Sequence, residues 1–385
     1  MQKCLKCGKV DGIIKSGKVR GKQRYYCKLC DFSFVLEQTI PELSKNKGLT
    51  TIVDIARHLG ISVSTVSRAL NDKYDINPNT KKLVNQAAID LDYKPNLIAQ
   101  SLHKGNSHII GVVVPEIEHP YFAKMLAGIH NIINHTAYSI IVCHSNESAE
   151  LEFLHIEKLL SYRVDGILIS HSKTVDDFSH ILKVINKKVP ILNIDRTIDL
   201  FDIPKVANND INGSKELVKH LIACDYKRIA IVSGPENLSI THKRTQGYEE
   251  AIKESGFEID RELMVNSDFT SSGLVSAFES LMNLPKPPDA IFCIFFKDAI
   301  DIIKLAKKRN LRIPEQLGVA AFGDDAISGN VEPTLTAYNP NPVKLGEVSV
   351  AILLNKIKTK ENPKEMSTII QGELIVRDST RKVGI

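Results

Sequence analysis

Short apolar runs recur along the chain from residue 107 to residue 385, and segments of helical length separate them. Val and Ile fill each run almost without interruption, which is typical of parallel strands buried on both faces of a sheet. About 280 residues are too many for one doubly wound sheet of this kind, so the pattern predicts an α/β region of two lobes. The runs are HIIGVVVP, YSIIVCHS, VDGILIS, VPILNID, KRIAIVSG, PDAIFCIFF and LGVAAFGDD.

A helical period precedes these runs, in TIVDIARHLGISVSTVSRALN (residues 51–71). Thr50 or Thr51 can cap a first helix, Gly60 ends it, and Ser62 can cap a second one. The apolar positions of the two helices share one face each: Ile52, Ile55, Ala56 and Leu59, then Val66, Ala69 and Leu70. A third amphipathic helix follows in NPNTKKLVNQAAIDLDYKPN. Two short helices joined by a tight turn predict an all-α helix-turn-helix domain.

The outward face of the second helix carries short hydrogen-bonding side chains and one guanidinium. These residues are Val63, Ser64, Thr65, Ser67 and Arg68. Such side chains can approach the floor of a DNA groove, and no carboxylate among them repels phosphate. The alternative for this segment alone is an ordinary small helical bundle.

Charge is distributed unevenly along the chain. Residues 1–105 contain 18 Lys/Arg and 9 Asp/Glu, whereas the remainder contains 32 and 36. A basic N-terminal third on a mildly acidic body indicates a protein that binds polyanions. A solvated charged surface would produce the same numbers, so charge alone does not decide the function.

Four cysteines near the N-terminus, Cys4, Cys7, Cys27 and Cys30, have the spacing C-x2-C-x19-C-x2-C. Two such knuckles can complete a tetrahedral Zn²⁺ site, and metal would have to stabilise a β-module of this size. The alternatives are two disulfides or four unrelated thiols. The other cysteines, Cys143, Cys224 and Cys293, are isolated in apolar stretches and are predicted to be buried hydrophobic residues.

The order CLKCG, then GKQRYYC and a closing Phe32 and Phe34, resembles the zinc ribbons at the front of insertion-sequence transposases. That resemblance implies one structural zinc ion per chain and contact with nucleic acid. Nine Lys/Arg against two Asp/Glu in residues 1–36, with Tyr25 and Tyr26 among them, suit a phosphate-facing surface. Contact with another protein is the alternative role.

A wider resemblance begins at residue 50. The segment TIVDIARHLGISVSTVSRALN, followed by LDYKPNLIAQSLHKGNSHIIGVVVP, is similar to the lactose-repressor (LacI/GalR) family of bacterial transcription regulators. The resemblance implies a two-lobed, periplasmic-binding-protein-like sensor with crossings between the lobes near residues 208, 335 and 365. The expected organisation is a zinc ribbon (1–36), a linker (37–49), a helix-turn-helix domain (50–94), a hinge helix (95–106) and an effector-binding and dimerisation domain (107–385).

The same resemblance assigns residues to DNA. Val63 and Ser64 fall where the family reads bases, and Arg68 falls where it contacts a base or phosphate. Leu102 falls where the hinge helix wedges into the minor groove, and Lys104 can meet the backbone there. The full set expected at DNA is Thr51, Ser62, Val63, Ser64, Thr65, Ser67, Arg68, Asn71, Asn96, Leu102 and Lys104.

An effector is expected in the cleft between the lobes, because ligands of open α/β sheets bind at the carboxyl ends of strands. Matched by position to the family's effector contacts, the resemblance implies Tyr121, Phe122, Asp195, Arg244, Phe292, Phe295 and Asp324 there. Arg244 is the strongest candidate, since a guanidinium offers fixed donors to a hydroxylated or anionic ligand. Core packing of the aromatic residues, a turn cap at Asp195 and an ion pair at Arg244 are the structural alternatives.

Two departures from the sugar-binding members of that family bear on the effector. Phe295-Phe296 stands where they carry Asn-Asp, unless a shifted register brings Lys297-Asp298 there and shortens the next helix. Gly323, followed by Asp324, stands where they carry an aspartate. Both changes disfavour a simple hexose and favour a more apolar or stacking effector.

The sequence therefore predicts a DNA-binding transcriptional repressor, controlled by a carbohydrate or related metabolite and acting as a homodimer or tetramer on a near-palindromic operator. The alternative is an architectural or constitutive DNA-binding protein whose sensor no longer binds a ligand. The nucleotide-binding, zinc-protease and hydrolase motifs that would indicate an enzyme are missing from the sequence. No run is long enough for a membrane span and no export leader is recognisable, so a cytoplasmic, nucleoid-associated protein is expected rather than a transport binding protein.

Overall fold

The computed structural model describes residues 4, 7, 9–19, 22–35, 50–94, 106–363 and 365–382. The chain divides into two compact units, residues 1–96 and residues 97–385. The expected linker (37–49) lies outside the described residues, and so does the expected hinge helix apart from residue 106. No helix within the described ranges is long and apolar enough to cross a membrane.

A three-stranded antiparallel sheet follows the first cysteine pair. Its strands are β1 (Ile13–Val19), β2 (Lys22–Cys27) and β3 (Phe32–Val35). Gly12, the residue before β1, has a φ of +79°. Glycine adopts this left-handed conformation without strain because it has no Cβ. Cys4 and Cys27 are the buried centre of the module, so its interior consists largely of thiols rather than apolar side chains.

Three helices follow, α1 (Ile52–Leu59), α2 (Val63–Leu70) and α3 (Pro78–Asp90). The Thr51 hydroxyl and amide donate to the Asp54 carboxylate at 2.7 and 3.0 Å, which fixes the start of α1. Gly60 ends α1 with a φ of +66°, and the Ser62 hydroxyl caps α2 by accepting from the Thr65 amide at 3.1 Å. The predicted helix boundaries are confirmed. The small core contains Ile55, Ala56, Val66, Ala69, Val84 and Ala87.

The first lobe of the second unit is an all-parallel sheet in the order β14-β8-β7-β6-β4-β5. Its strands are β4 (Ile109–Val114), β5 (Ser139–His144), β6 (Gly166–Ile169), β7 (Ile191–Ile194), β8 (Lys205–Asn208) and β14 (Ser367–Ile370). The helices packed on it are α4 (Pro120–Ile133), α5 (Ala149–Ser161), α6 (Ser179–Asn186) and α11 (Pro342–Thr359). Two apolar clusters, one on each face, enclose this sheet.

The second lobe has the strand order β10-β9-β11-β12-β13-β15, in which only β15 is antiparallel to its neighbour. Its strands are β9 (Ile229–Ser233), β10 (Met264–Asn266), β11 (Ala290–Cys293), β12 (Gly318–Phe322), β13 (Thr336–Asn339) and β15 (Glu373–Ile375). Its helices are α7 (Asp210–Ala223), α8 (Ser239–Glu254), α9 (Ser271–Met282) and α10 (Phe296–Lys308). The seven apolar runs of the sequence are β4, β5, β6, β7, β9, β11 and β12, as predicted.

The chain crosses between the lobes at residue 209, at residues 340–341 and at residues 371–372. The first crossing agrees with the prediction, and the other two lie several residues beyond the predicted positions 335 and 365. The short strands TAYN (β13) and STII (β14) cause the difference. Their few apolar positions form no continuous run, so the sequence pattern did not reveal them.

Candidate functional site

A cleft separates the two lobes, and the carboxyl ends of both sheets face it. It encloses a cavity of about 690 Å³. The first lobe contributes the segments after β4, β5, β6 and β7, and the second contributes α8 and the segments after β10, β11, β12 and β13. Parallel strands present their following loops at one edge, which explains why the cavity forms here.

Aromatic rings from both lobes meet in the middle of the cleft. His119 of the first lobe stacks on Phe295 of the second, with ring centroids 5.0 Å apart, and the tilted ring of Phe269 also lies 5.0 Å from Phe295. Phe296 and Phe122 lie edge-on to His119 at 5.5 and 6.0 Å. The cavity therefore has a large aromatic wall.

The polar groups of the first lobe are bound mainly to one another. The Tyr121 hydroxyl donates to the Asp195 carboxylate at 2.7 Å and accepts from the Asn208 amide at 2.7 Å. Burial, followed by the charge of Asp195, raises the pKa of Tyr121, so the phenol stays protonated. Arg196 pairs with Glu147 at 2.7 Å. A ligand meets these groups as a pre-assembled network.

Arg244 projects from α8 into the cleft and is almost fully buried. Its Nε donates to Asp210 at 2.8 Å, and its Nη1 donates to the carbonyl of Ile294 at 2.7 Å. The guanidinium carbon lies 3.7 Å from the centre of the Phe322 ring. Burial raises the pKa of Asp210, while the neighbouring Arg244 opposes that rise. Arg244 therefore lines the cavity and also holds an internal ion pair.

The acidic pair after β12 is engaged as well. Asp324 binds Arg377 through both carboxylate oxygens, at 2.8 and 3.1 Å. Asp325 pairs with Lys124 of α4 at 3.0 Å, and this ion pair joins the two lobes across the cleft. Asp324 therefore lines the cavity with its charge already neutralised.

Six of the seven residues predicted for the effector line the cavity: Tyr121, Phe122, Asp195, Arg244, Phe295 and Asp324. The prediction that Phe292 lines the cavity is wrong. Phe292 lies inside β11, is completely buried and packs in the core of the second lobe. The cavity begins two residues later, at Ile294. The expected set did not include His119, Phe269, Phe296 and Phe322, which also line the cavity. Phe296 adjoins the expected Phe295, whereas His119 and Phe269 lie several residues after their strands and Phe322 ends β12, so a position directly after a strand marks none of these three.

The outer face of α2 is exposed at the positions predicted to read DNA. Val63, Ser64 and Arg68 are exposed, whereas Thr65 and Ser67 are half-buried. Arg68 forms an ion pair with Asp75, in the loop before α3. The Asn71 amide donates to the carbonyl of Ser67 at 2.8 Å. Asn96, Leu102 and Lys104 lie outside the described residues, and the DNA contacts of the whole set stay a prediction.

Comparison with known proteins identifies the family. Residues 107–378 match the model of periplasmic binding proteins and sugar binding domains of the LacI family, and residues 51–96 match bacterial regulatory proteins of the lacI family. The chain belongs to the LacI family. It is accordingly a DNA-binding transcriptional regulator with a sensor domain, and not an enzyme.

Curated relatives span nearly the whole LacI-like part of the chain. The HTH-type transcriptional repressor CytR of Escherichia coli (strain K12) is 26% identical over 337 residues, which cover 88% of this chain and 98% of CytR. The probable HTH-type transcriptional repressor ExuR of Bacillus subtilis (strain 168) is 30% identical over 339 residues, with coverages of 87% and 99%. Both relatives are named as repressors.

Solved LacI-family structures share the fold. The lac repressor dimer bound to operator and the anti-inducer ONPF superposes with a TM-score of 0.77 at 22% identity, covering 87% of this chain and all of that one. The complex of the regulator CelR with cellobiose gives a TM-score of 0.65 at 23% identity, with coverages of 86% and 99%. The predicted α/β two-lobed fold with an N-terminal helical domain is confirmed.

The sequence of this LacI-family chain left open whether Phe295-Phe296 or Lys297-Asp298 stands where the sugar-binding members carry Asn-Asp. The start of α10 decides between them. The helix begins at Phe296, so Lys297 and Asp298 belong to its first turn and the helix is not shortened. Lys297 lines the cavity, whereas Asp298 is buried and one of its oxygens, Oδ2, has no hydrogen-bond partner among the described residues. Burial, followed by the charge of Asp301, raises the pKa of Asp298 to about 7. The aromatic pair Phe295-Phe296 therefore occupies the cleft.

The cysteine cluster lies in residues 1–50, outside both family matches. The four sulfur atoms lie within 4.8 Å of one another, with Cys4 Sγ 3.5 Å from Cys30 Sγ and Cys7 Sγ 3.8 Å from Cys27 Sγ. Sulfur atoms at about 2.3 Å from a tetrahedral zinc are about 3.8 Å apart, so the donor set and its spacing fit Zn²⁺. The Cys4 amide donates to the carbonyl of Lys9 at 2.9 Å, which closes the first knuckle.

Proposed function

We propose that this LacI-family regulator is a cytoplasmic repressor that binds a near-palindromic operator as a homodimer and is controlled by a small molecule held between its lobes. The cleft carries this proposal, because it combines a cavity of about 690 Å³ with a positioned arginine, Arg244. A sensor that had lost its ligand would have no need of such a cavity. The dimeric, operator-bound lac repressor and the cellobiose-bound CelR support the arrangement by analogy.

The proposed mechanism has two states. Effector binding changes the angle between the lobes, and this change alters the dimer contacts that place the two α2 helices on DNA. An effector can shift the equilibrium only by its difference in affinity for the two arrangements, which is typically about 1–3 kcal/mol.

The lining of the cleft supports an effector with a planar ring. His119, Phe269 and Phe295 give the cavity an aromatic wall, whereas the carboxylates Asp195 and Asp324 are already bound to protein partners. A hexose needs many free hydrogen-bonding groups, and leaving its hydroxyls unpaired would cost affinity. Ring stacking contributes about 0.5–1.5 kcal/mol per pair beyond burial. A nucleobase, a nucleoside or an aryl glycoside is therefore favoured over a simple hexose.

A thermal-shift screen tests the effector class. Free nucleobases, nucleosides and aryl glycosides are compared with hexoses and disaccharides, and a bound effector at one hundred times its Kd stabilises the fold by about 2.7 kcal/mol. Phe295→Ala is expected to lose the shift, and Leu200→Ala, which changes an exposed side chain outside the cavity, is expected to keep it. A thermal shift with hexoses alone would refute an effector with a planar ring. A screen in which no compound shifts the melting temperature would favour a constitutive DNA-binding protein.

Footprinting on genomic fragments tests the operator. A regulator protects a few near-palindromic sites, whereas an architectural protein protects many sites without sequence preference. Arg68→Ala is expected to weaken specific binding by about 1–3 kcal/mol if it contacts a base. Arg309→Ala is the control, because it removes the same charge from an exposed position in the second lobe. Light scattering on the same samples separates a monomer, a dimer and a tetramer.

We also propose that Cys4, Cys7, Cys27 and Cys30 hold one structural Zn²⁺ and form a zinc ribbon like that of transposases. The spacing of the four sulfur atoms and the thiol-filled interior of the module support this proposal. The ion would supply the stabilisation that an apolar core of this size cannot. The basic residues on the ribbon suit contact with DNA phosphates, with contact to a partner protein as the second candidate.

Replacing one ligand tests the ribbon. Cys7→Ser is expected to remove the zinc ion of the ribbon and to unfold the ribbon while the melting of the sensor stays unchanged. Cys143→Ser is the control, because this cysteine lies alone in β5. Loss of the whole fold in Cys7→Ser would contradict a modular ribbon, and unchanged zinc content would contradict the ligand assignment.

A further inference from the structure

A second group of metal-binding side chains lies inside the first lobe, apart from the residues that line the cleft. Glu152 of α5, His171 after β6 and His180 of α6 are all buried, with 0%, 3% and 2% of their surface exposed. Their ligand atoms lie within 4.8 Å of one another. Glu152 Oε1 is 2.7 Å from His171 Nδ1 and 3.0 Å from His180 Nε2. Two imidazole nitrogens thus converge on one carboxylate oxygen.

The surrounding groups hold these three side chains in place. The amide and the hydroxyl of Ser172 both donate to Glu152 Oε2 at 2.7 Å, which orients the carboxylate. Phe178 packs edge-on against His171 at 5.2 Å and stacks near His180 at 6.3 Å. Metal sites in proteins commonly have such an outer shell, which orients the ligands and excludes water.

The contact between His171 and Asn193 provides an independent indication. His171 Nε2 contacts the side-chain amide of Asn193, with Oδ1 at 3.2 Å. The other ring nitrogen, Nδ1, faces the Glu152 carboxylate at 2.7 Å, so both nitrogens of the ring are held by polar side chains. A histidine that donates Nε2–H to a side-chain oxygen while Nδ1 faces a cation has the usual arrangement of a metal ligand.

The distances fit a small cation with little rearrangement. Ligand atoms at about 2.1 Å from a shared ion lie about 3.0–3.4 Å apart at angles between octahedral and tetrahedral. The two nitrogen-to-oxygen distances are 2.7 and 3.0 Å, so each nitrogen needs to move away from the carboxylate oxygen by only a few tenths of an ångström. The two nitrogens lie within 4.8 Å of each other. Two imidazoles and one carboxylate suit Zn²⁺, Ni²⁺, Co²⁺ or Fe²⁺ rather than Ca²⁺ or Mg²⁺.

We propose that Glu152, His171 and His180 bind a divalent transition-metal ion inside the first lobe. The ion would tie α5, α6 and the segment after β6 together. That segment reaches the cleft, because Lys173 lines the cavity and Arg196 donates to the carbonyl of His171 at 3.4 Å. Metal binding would therefore stiffen one wall of the effector cleft, and it would do so independently of the zinc ribbon.

Metal analysis of the full-length protein tests this site. The chain is loaded with Zn²⁺, desalted and analysed for metal in a Cys4→Ser/Cys7→Ser background, which removes the ribbon site. This variant is expected to retain about one equivalent per chain, with only nitrogen and oxygen neighbours in its X-ray absorption spectrum. Adding His180→Gln is expected to abolish that equivalent. Adding His155→Gln instead is expected to keep the metal. His155 lies on α5, as Glu152 does, but its Nε2 contacts the carbonyl of His144.

Two results would overturn the proposal. One is a Cys4→Ser/Cys7→Ser protein that retains no metal, and the other is a His180→Gln addition that retains as much metal as its parent. If the variant with His180→Gln does not fold, the Cys4→Ser/Cys7→Ser protein alone still tests whether the site exists. Its melting temperature must rise by several degrees with Ni²⁺ and not with Mg²⁺ if the site exists.

Discussion

His119 links the two lobes through a single side chain. Its Nδ1 caps α4 by accepting from the Tyr121 amide at 3.2 Å, and its ring stacks on Phe295 across the cleft. Its Nε2 is buried without a partner among the described residues. Burial, followed by the charge of Arg196, lowers the pKa of His119 from 6.5 to about 4. The imidazole is therefore neutral at physiological pH, as both the cap and the stack require.

Acidification is expected to weaken the fold through this residue. A histidine with a depressed pKa contributes its full stability above its unfolded value of 6.5, and the contribution is lost as the pH falls from there toward 4. After discounting for the partial exposure of the ring, the loss is about 1–2 kcal/mol between pH 7.5 and pH 5. His119→Asn, which keeps a cap acceptor but does not titrate, should flatten the dependence of the melting temperature on pH.

The control for this measurement is His135→Asn, which removes an exposed histidine from the same lobe. It should leave the slope unchanged. If the melting temperature of His119→Asn depends on pH as steeply as that of the unsubstituted protein, then His119 is already protonated, or not stacked on Phe295, in the folded protein.

At the scale of the elements, α4 and α11 approach so closely that their contact admits only glycine at two positions. A Cβ on Gly128 would lie 2.0 Å from the carbonyl oxygen of Val343, and a Cβ on Gly346 would lie 2.1 Å from that of Met125. These neighbours are backbone atoms, which cannot move aside as a side chain would. The close contact fixes α11 on the first lobe immediately after the chain has crossed from the second.

Gly128→Ala is therefore expected to destabilise the sensor. Overpacking typically costs about 1–3 kcal/mol, and a backbone neighbour places this substitution at the upper end. Thermal or denaturant unfolding measures the effect. Gly329→Ala is the matched control, since nothing lies within 4 Å of a Cβ there. Equal stability of the two variants would mean that the helices separate easily and that the contact is not tight.

At the scale of the whole sensor, the cleft is bridged by contacts that opening of the lobes would break. Lys124 of the first lobe pairs with Asp325 of the second at 3.0 Å and also donates to the carbonyl of Asp324 at 3.3 Å. The stack of His119 on Phe295 is a second bridge. Under the proposed two-state mechanism, these contacts would favour the closed arrangement, and an effector would act on the same balance.

Lys124→Ala should shift that balance toward the open arrangement. A half-exposed ion pair contributes about 0.5–1 kcal/mol, which corresponds to an effector affinity about 2- to 5-fold weaker. Isothermal titration measures the affinity once a ligand has been identified, and small-angle scattering measures the opening without one. Lys344→Ala, whose ion pair with Glu347 stays within one helix, should change neither quantity. An unchanged affinity in Lys124→Ala would show that this ion pair does not control closure.

The sequence by itself determined the helices of the helix-turn-helix domain and seven strands of the sensor, and its resemblance to the LacI family indicated the kind of protein. Helix caps at Thr51 and Ser62, the turn at Gly60 and the apolar runs are local signals, and a few neighbouring residues carry each of them. The spacing of the cysteines is local too. The resemblance to the LacI family, together with the position of strand ends, located six of the seven expected residues at the cleft.

Only the tertiary structure decided which side chains meet. Phe292 is buried because β11 continues past it, and His119 reaches Phe295 because the two lobes close on each other. Glu152 and His180 lie 28 residues apart, and no spacing rule joins them. Each of these contacts depends on the packing of several elements at once, which is information that no short stretch of the chain contains.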